Sequence, residues 1–422
     1  MALKISSSIL KEIEDVVDFG EKIEKNLKSP VTELLETILG GAISLRASDL
    51  HFEPQENQTK IRLRIDGILQ EVLSFDLNPY ENLLSRLKFL SRIKLNVTDR
   101  PQAGRFTVLT NQTPVEIRAS TLPTSYGESI VLRILDPKTL IELEKLGIRK
   151  DLLNLFGKEM KKPNGMIIVT GPTGSGKTTT LYAFLKKIQA PGIKIITIED
   201  PIEYHLEGVT QTQVDPIKGY DFASGLKSVM RQDPNVILIG EIRDSPTCQT
   251  AIQAALTGHL VLTTLHTNDA AGTIARLVSL RANPINIGPA INLAIAQRLV
   301  RKVCPKCREL KKISLLEFKK IKQELKNIPK NLIPFAFNEE IKIPNAKGCK
   351  YCNFTGYRDR IGIFEAFLVD DEIEKFILTN PSIAALRKKI IEKGMLKMEQ
   401  DSLIKVLEGI TTLKELERVV GE

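Results

Sequence analysis

The sequence predicts an α/β protein of more than one domain, and three observations predict it. Residues 58–135 alternate apolar and polar side chains at period two around one helical stretch. Beyond Asp151, short and fully apolar runs take turns with segments of helical periodicity. Between two of these, the glycine-rich octapeptide Gly171-Pro172-Thr173-Gly174-Ser175-Gly176-Lys177-Thr178 joins an apolar run to a helix. Period two on one face marks a half-buried sheet, whereas apolar strands between helices mark a parallel sheet covered on both faces.

From the N-terminus, Ile9, Ile13, Val16, Ile23 and Leu27 recur at near-helical spacing, so residues 1–29 read as an amphipathic helix stopped at Ser29-Pro30. Pro30 opens a second helix, to about Ala42. Lys60–Ile65, the Asp66-Gly67 turn and Ile68–Val72 form a β-hairpin signal. A helix over Tyr80–Ile93 and strands at Arg105–Leu109, Pro114–Ser120 and Ser129–Leu135 complete an α+β domain over 30–136. Residues 137–150 read as a linker. Apolar strands then follow at Met166–Thr170, Lys194–Ile198, Val236–Ile239 and Leu260–Thr264, inside a second domain spanning 151–422. Residues 363–422 end it in helices at Asp371–Leu378, Ser382–Lys393 and Met398–Leu407.

At 422 residues, 42% hydrophobic and 26% charged, the composition is that of a globular protein with room for separate cores. No apolar run approaches a membrane span, and the N-terminus lacks the apolar core of a signal peptide, so the cytoplasm is the expected compartment. The net charge of +9 is spread along the chain among glutamates, and Trp is absent. That pattern suits a solvated surface better than a base-stacking platform, so no direct nucleic-acid contact is expected.

The octapeptide has the strand–loop–helix setting that a P-loop requires. Its glycines let the backbone wrap a polyphosphate, with Pro172, Thr173 and Ser175 in the same turn and Thr179 following. Lys177 reaches the β/γ-phosphates and Thr178 offers a hydroxyl to Mg²⁺. Two acidic segments follow strands, Glu199-Asp200-Pro201-Ile202-Glu203 and Gly240-Glu241-Ile242-Arg243-Asp244. Carboxylates at the C-terminal ends of parallel strands line the ligand crevice. His259 and His266 bracket the next strand, either as structural residues or as γ-phosphate sensors.

Cys304-x-x-Cys307 and Cys349-x-x-Cys352 together hold the ligand content of a closed structural Zn²⁺ site, within a module expected over 301–362. Pro305 and Gly348 suit the tight turns of such knuckles. Cys248 reads as an ordinary packed thiol.

In this order, the P-loop, Ile198-Glu199-Asp200-Pro201, Gly240–Asp244 and Thr257-Gly258-His259 through His266 resemble the type II secretion and type IV pilus assembly ATPases. Ala47-Ser48-Asp49-Leu50-His51-Phe52-Glu53-Pro54, Arg100–Arg105 and Ser120–Thr124 resemble that family's N-terminal domain. The resemblance implies a PAS-like N-terminal domain, a RecA-like P-loop ATPase domain with a tetracysteine zinc insertion, and a homohexamer binding ATP and Mg²⁺. It implies Lys177 on phosphate, Thr178 and Glu199 on Mg²⁺, Glu241 positioning water, Glu203 nearby, His259 and His266 sensing the nucleotide, and Arg118 and Arg133 reaching the γ-phosphate, with Arg276 a further candidate. It also implies an inner-membrane platform partner, indirect action on pilin-like subunits, and a place at the cytoplasmic face of the inner membrane. In the family the cysteine module marks assembly members, which tilts the reading toward assembly of pilin-like subunits for secretion, a pilus or a DNA-uptake pseudopilus, with a retraction motor or a nucleic-acid translocase as alternatives. Family members often carry extra N-terminal domains, whereas only residues 1–29 precede the PAS-like domain here.

Overall fold

The computed structural model describes residues 3–110, 113–136, 142–326, 328–329, 332–333 and 338–421. These gather into two compact units, one of residues 1–139, 303–309 and 346–359, the other of residues 140–302, 310–345 and 360–422. The cysteine knuckles therefore cluster with the N-terminal residues, where the sequence grouped 301–362 with the second domain.

In the first unit, β1 (Leu3–Ile5), α1 (Ser7–Glu12), α2 (Val16–Asn26) and α3 (Val31–Ser44) precede β2 (Asp49–Pro54), β3 (Gln58–Ile65) and β4 (Ile68–Asp76). Then come α4 (Leu77–Leu90), β5 (Gln102–Thr110), β6 (Thr113–Thr124) and β7 (Gly127–Leu135). The expected single helix over 1–29 is thus a strand and two helices. Ser6 and Asp15 each accept first-turn amides, Asp15 Oδ1 from Val17 and Asp18 at 2.9 Å, so the chain restarts a helix twice. Leu3 and Ile5 bury as β1 joins the sheet edge, parallel to β5. The sheet order is β1-β5-β6-β7-β2-β3-β4. Its inner face packs Leu50, Phe52, Ile61 and Leu63 against Phe19, Ile38, Leu83 and Leu87, all fully buried.

The second unit opens with α5 (Lys150–Glu159), β8 (Gly165–Thr170), α6 (Lys177–Ile188), β9 (Ile195–Glu199) and β10 (Thr210–Gln213). It continues with α7 (Phe222–Met230), β11 (Val236–Ile239), α8 (Ser245–Leu256), β12 (Leu260–Leu265), α9 (Gly272–Ser279), α10 (Pro284–Ala290) and β13 (Ile291–Val303). Next are β14 (Arg308–Lys312), α11 (Leu315–Leu325), β15 (Lys342–Ala346) and β16 (Tyr357–Leu368). The chain closes with α12 (Asp371–Leu378), α13 (Ile383–Glu392), α14 (Met398–Leu407) and α15 (Leu413–Val420). Residues 137–141 of the expected linker lie outside the described residues.

The main sheet runs β10-β9-β11-β12-β8-β13-β16, with its pairs from β10 to β13 parallel. Both faces are covered. Met166 and Ile168 of β8 face one core, Ile167 and Val169 the other. That double burial explains why these strands read as unbroken apolar runs. Cys248 is buried among them, and burial pushes its thiol up to about 11, as a packed thiol requires. Between the cysteine pairs, Phe318, Ile321 and Leu325 of α11 bury with Leu403, Val406 and Leu407 of α14.

Candidate functional site: a phosphate loop beside an acid–histidine pair

β8 ends at the buried Thr170, and the chain turns through Gly171–Gly176 into α6. Gly171 and Gly176 have φ of 146° and 85°. A Cβ at Gly171 would lie 2.4 Å from the Gln297 carbonyl oxygen, and one at Gly176 would lie 2.9 Å from Gln297 Nε2. Only glycine therefore fits where the loop rests on β13. Thr180 Oγ1 donates to Gln297 Oε1 at 2.7 Å, fixing α6 to the same residue.

No side chain caps the start of α6, so its first amides face outward with the positive end of the helix dipole. Pro172, Thr173 and Gly174 are exposed, Thr179 is half-buried, and the buried Ser175 Oγ has no partner among the described residues. Lys177 Nζ donates to the carbonyls of Gly171 (2.9 Å) and Pro172 (3.0 Å). Burial holds its ammonium below the ordinary lysine range, against the pull of Glu241. A backbone cradle, an uncapped helix start and one cation fit a polyphosphate. Thr178, exposed in the first turn, fits a hydroxyl ligand for its Mg²⁺.

Glu241 follows β11. The Gly240 amide donates to Ile198 O (2.8 Å), Thr264 Oγ1 to Gly240 O (2.8 Å), and Ile242 N–H to Thr264 O (3.1 Å). These bonds fasten the turn to β9 and β12. Glu241 accepts from Arg243 at 2.5 Å and from His266 Nε2 at 3.1 Å. Burial alone would raise its carboxyl, but Arg243 and then His266 outweigh burial and hold it below the usual range. The fold thus brings together Lys177, Glu241 and His266. Such an arrangement fits a polyphosphate with an ionised carboxylate beside it, able to act on a water.

Glu199 and His259 lie in other settings. Glu199 ends β9 with a carboxylate only 3% exposed. Its Oε1 accepts from Thr197 Oγ1 (2.6 Å) and Gln211 Nε2 (3.1 Å), and its Oε2 accepts from the Tyr182 hydroxyl. It is an enclosed hub tying α6 to β9 and β10. His259 precedes β12 at the end away from the loop, with Nδ1 at 3.1 Å from Ala254 O. Six strand residues, about 20 Å, separate it from His266. Glu203 is half-buried further along the loop after β9, its backbone N–H directed to the Tyr182 hydroxyl. Arg276 is exposed on α9.

In the first unit, Arg118 and Arg133 pair in register, and the row extends to both sides. Arg105 faces Arg118, Arg133 faces Asp49, and Asp49 faces Arg64. The buried Asp49 holds Arg133 at 3.0 Å and Arg64 at 3.3 Å, while Arg118 meets Glu116 at 3.2 Å. Four arginines in one line were not evident from the sequence, because strand register decides it. Gln297 did leave a signal there, as an amide in an apolar run.

The four cysteine sulfurs lie within 4.8 Å of one another. Cys304–Cys349, Cys307–Cys352 and Cys349–Cys352 stand at 3.9, 3.8 and 3.8 Å. Tetrahedral zinc with Zn–S near 2.3 Å puts sulfurs about 3.8 Å apart, whereas a disulfide needs about 2 Å. The amides of Cys349 and Gly356 donate to Cys352 Sγ at 3.2 Å, as suits a thiolate. The cluster fits a four-thiolate metal.

The family described as Type II/IV secretion system protein matches residues 24–418. The Type II secretion system ATPase E of Vibrio cholerae is 40% identical over 410 residues, covering 97% of this chain and 79% of that protein. The Type IV pilus assembly ATPase PilB of Myxococcus xanthus is 38% identical over 416 residues, 96% of this chain and 71% of that protein. Among solved structures, the Legionella pneumophila ATPase DotB shares the fold with a TM-score of 0.66 at 22% identity, over 92% of this chain and 95% of that one. The pilus retraction motor PilT with bound ADP gives 0.58 at 26%, over 90% and 95%.

Proposed function

Because the chain belongs to the Type II/IV secretion system protein family, we propose that its Lys177–Glu241–His266 site hydrolyses ATP to drive assembly of pilin-like subunits, for secretion or for a pilus. The observation that carries the site assignment is Glu241. It is ionised, held by Arg243 and His266, and electrostatically coupled to the P-loop lysine. Lys177 binds the phosphates, and the α6 amides and Ser175 complete the cradle. Glu241 orients the attacking water and takes its proton, and His266 holds that carboxylate in place. Thr178 would hold Mg²⁺, which supplies charge neutralisation on the phosphates when bound. Arg118 and Arg133 supply positive charge for the transfer, a reading supported by their row of four arginines. Zinc on the four cysteines is structural, since a closed sphere leaves no position for substrate.

In this reading the domains are PAS-like and RecA-like, and the working form is a homohexamer at the cytoplasmic face of the inner membrane, recruited by a polytopic platform protein. Among the described residues no helix is long and apolar enough to cross a membrane. Assembly is favoured over retraction by the relatives named for secretion and pilus assembly at 38–40% identity, against 26% for the retraction motor. Glu241→Gln protein, tagged and recovered from membranes with ATP, tests the function. Enrichment of a platform protein and pilin-like subunits supports it, and recovery of nucleic acid with transfer proteins contradicts it.

A further inference from the structure

Glu365 is a buried carboxylate outside the ATP site, 5% exposed on β16. Its Oε1 accepts the Ala270 amide at 2.8 Å and its Oε2 the Met398 amide at 3.2 Å. The Met398 amide is in the first turn of its helix, where it lacks a partner within that helix. Ala270 lies just before α9 and Met398 opens α14. Burial pushes the Glu365 carboxyl up to about 7, a cost that a space-filling residue would avoid.

The segment His266–Ala270 is tied at both ends. At its head, His266 bonds Glu241, and the Thr267 amide donates to Thr170 Oγ1 at 2.8 Å, at the foot of the P-loop. Thr267 Oγ1 then donates to Asp269 O at 2.9 Å. At its tail, Glu365 takes Ala270, Asp269 Oδ1 accepts from Gly272 N–H at 2.7 Å, and Asp269 Oδ2 pairs with Arg387 of α13. One five-residue segment therefore carries the histidine that holds Glu241 and the anchors to α13 and α14.

We propose that Glu365 is a positioning residue, aided by Arg387, that fixes the His266–Ala270 segment to the C-terminal helices and so makes turnover at Glu241 depend on where those helices stand. The proposal rests on the reading of Glu241 and His266 as ATP-site residues. A shift of α13 or α14 reaches Glu241 directly through His266, whereas the segment's bond toward the P-loop goes to Thr170, ahead of the cradle, so turnover changes more than binding.

The test measures ATP turnover of the full chain for Glu365→Gln, Arg387→Ala, Arg387→Lys and Glu241→Gln, with amide hydrogen exchange over residues 266–272 and thermal melts. Glutamine has one acceptor oxygen, so it turns an NH₂ toward one of two amides that need an acceptor. Glu365→Gln and Arg387→Ala should each lower kcat about tenfold with KM for ATP within about twofold. Exchange at Ala270–Gly272 should quicken, and Arg387→Lys should recover part of kcat. Arg387 is exposed, so its variants keep the test decisive if Glu365→Gln fails to fold. Folded Arg387→Ala protein at wild-type kcat, or a loss of kcat matched by a rise in KM, overturns the proposal. Wild-type turnover in Glu241→Gln would instead overturn the underlying site assignment.

Discussion

Glu241 shows how environment decides a residue's use. Burial favours its neutral form, and the Arg243 and His266 bonds more than reverse that. Its folded carboxyl therefore sits below the ordinary value of 4.5, so the ionised form persists through neutral pH and is lost only as pH falls below that value. Removing Arg243 takes away the largest opposing contribution. Arg243→Ala should move the acid limb of the kcat/KM profile upward in pH, read from turnover between acid and neutral pH. An unmoved limb would place the titrating group elsewhere. Lys177 runs the other way, since burial holds its ammonium down, and a bound polyphosphate relieves that cost by supplying anionic partners.

Among the elements, the cysteine knuckles reach beyond their own ligands. Asn353, just after Cys352, accepts the Val16 amide at 3.0 Å at the start of α2. Asp359 pairs with Arg46 at 2.7 Å, and its amide donates to Asp66 at 3.0 Å. A metal held by the four cysteines would order the knuckles and thereby steady the N-terminal helices. The wild-type chain should carry about one zinc, and Cys304→Ser should lose it and gain protease cleavage near Asp15 and within residues 346–359. Metal analysis and limited proteolysis read this, and a zinc-free chain with the wild-type cleavage pattern would count against it.

Sequence pattern found the elements that burial forces into a simple period. The β3–β4 hairpin, β8, β11 and β12 lie within a residue or a few of where alternation and apolar runs place them. It passed over β13 and β16, where Gln297, Arg298 and Glu365 interrupt the apolar signal with side chains whose partners are remote in the chain. The P-loop and the four cysteines were legible because their chemistry is local in sequence. The Glu199–Tyr182 bond, the arginine row and the distance of His259 from the loop were not, because each depends on tertiary register.

For the whole molecule, a basic chain of net charge +9 without Trp gives little reason for base stacking, and its kinship lies with secretion and pilus ATPases. A ring motor should turn over faster per chain as protein concentration rises and rings assemble, with sedimentation rising over the same range. Constant specific activity in a monomer would contradict a working hexamer.

In the proposed function Glu241 does the chemistry while the P-loop does the binding. The most direct test of this division measures ATP affinity and single-turnover hydrolysis in wild-type and Glu241→Gln protein side by side. Near-equal affinity with hydrolysis slowed on the order of a hundredfold or more is the predicted result. Hydrolysis at the wild-type rate would contradict it.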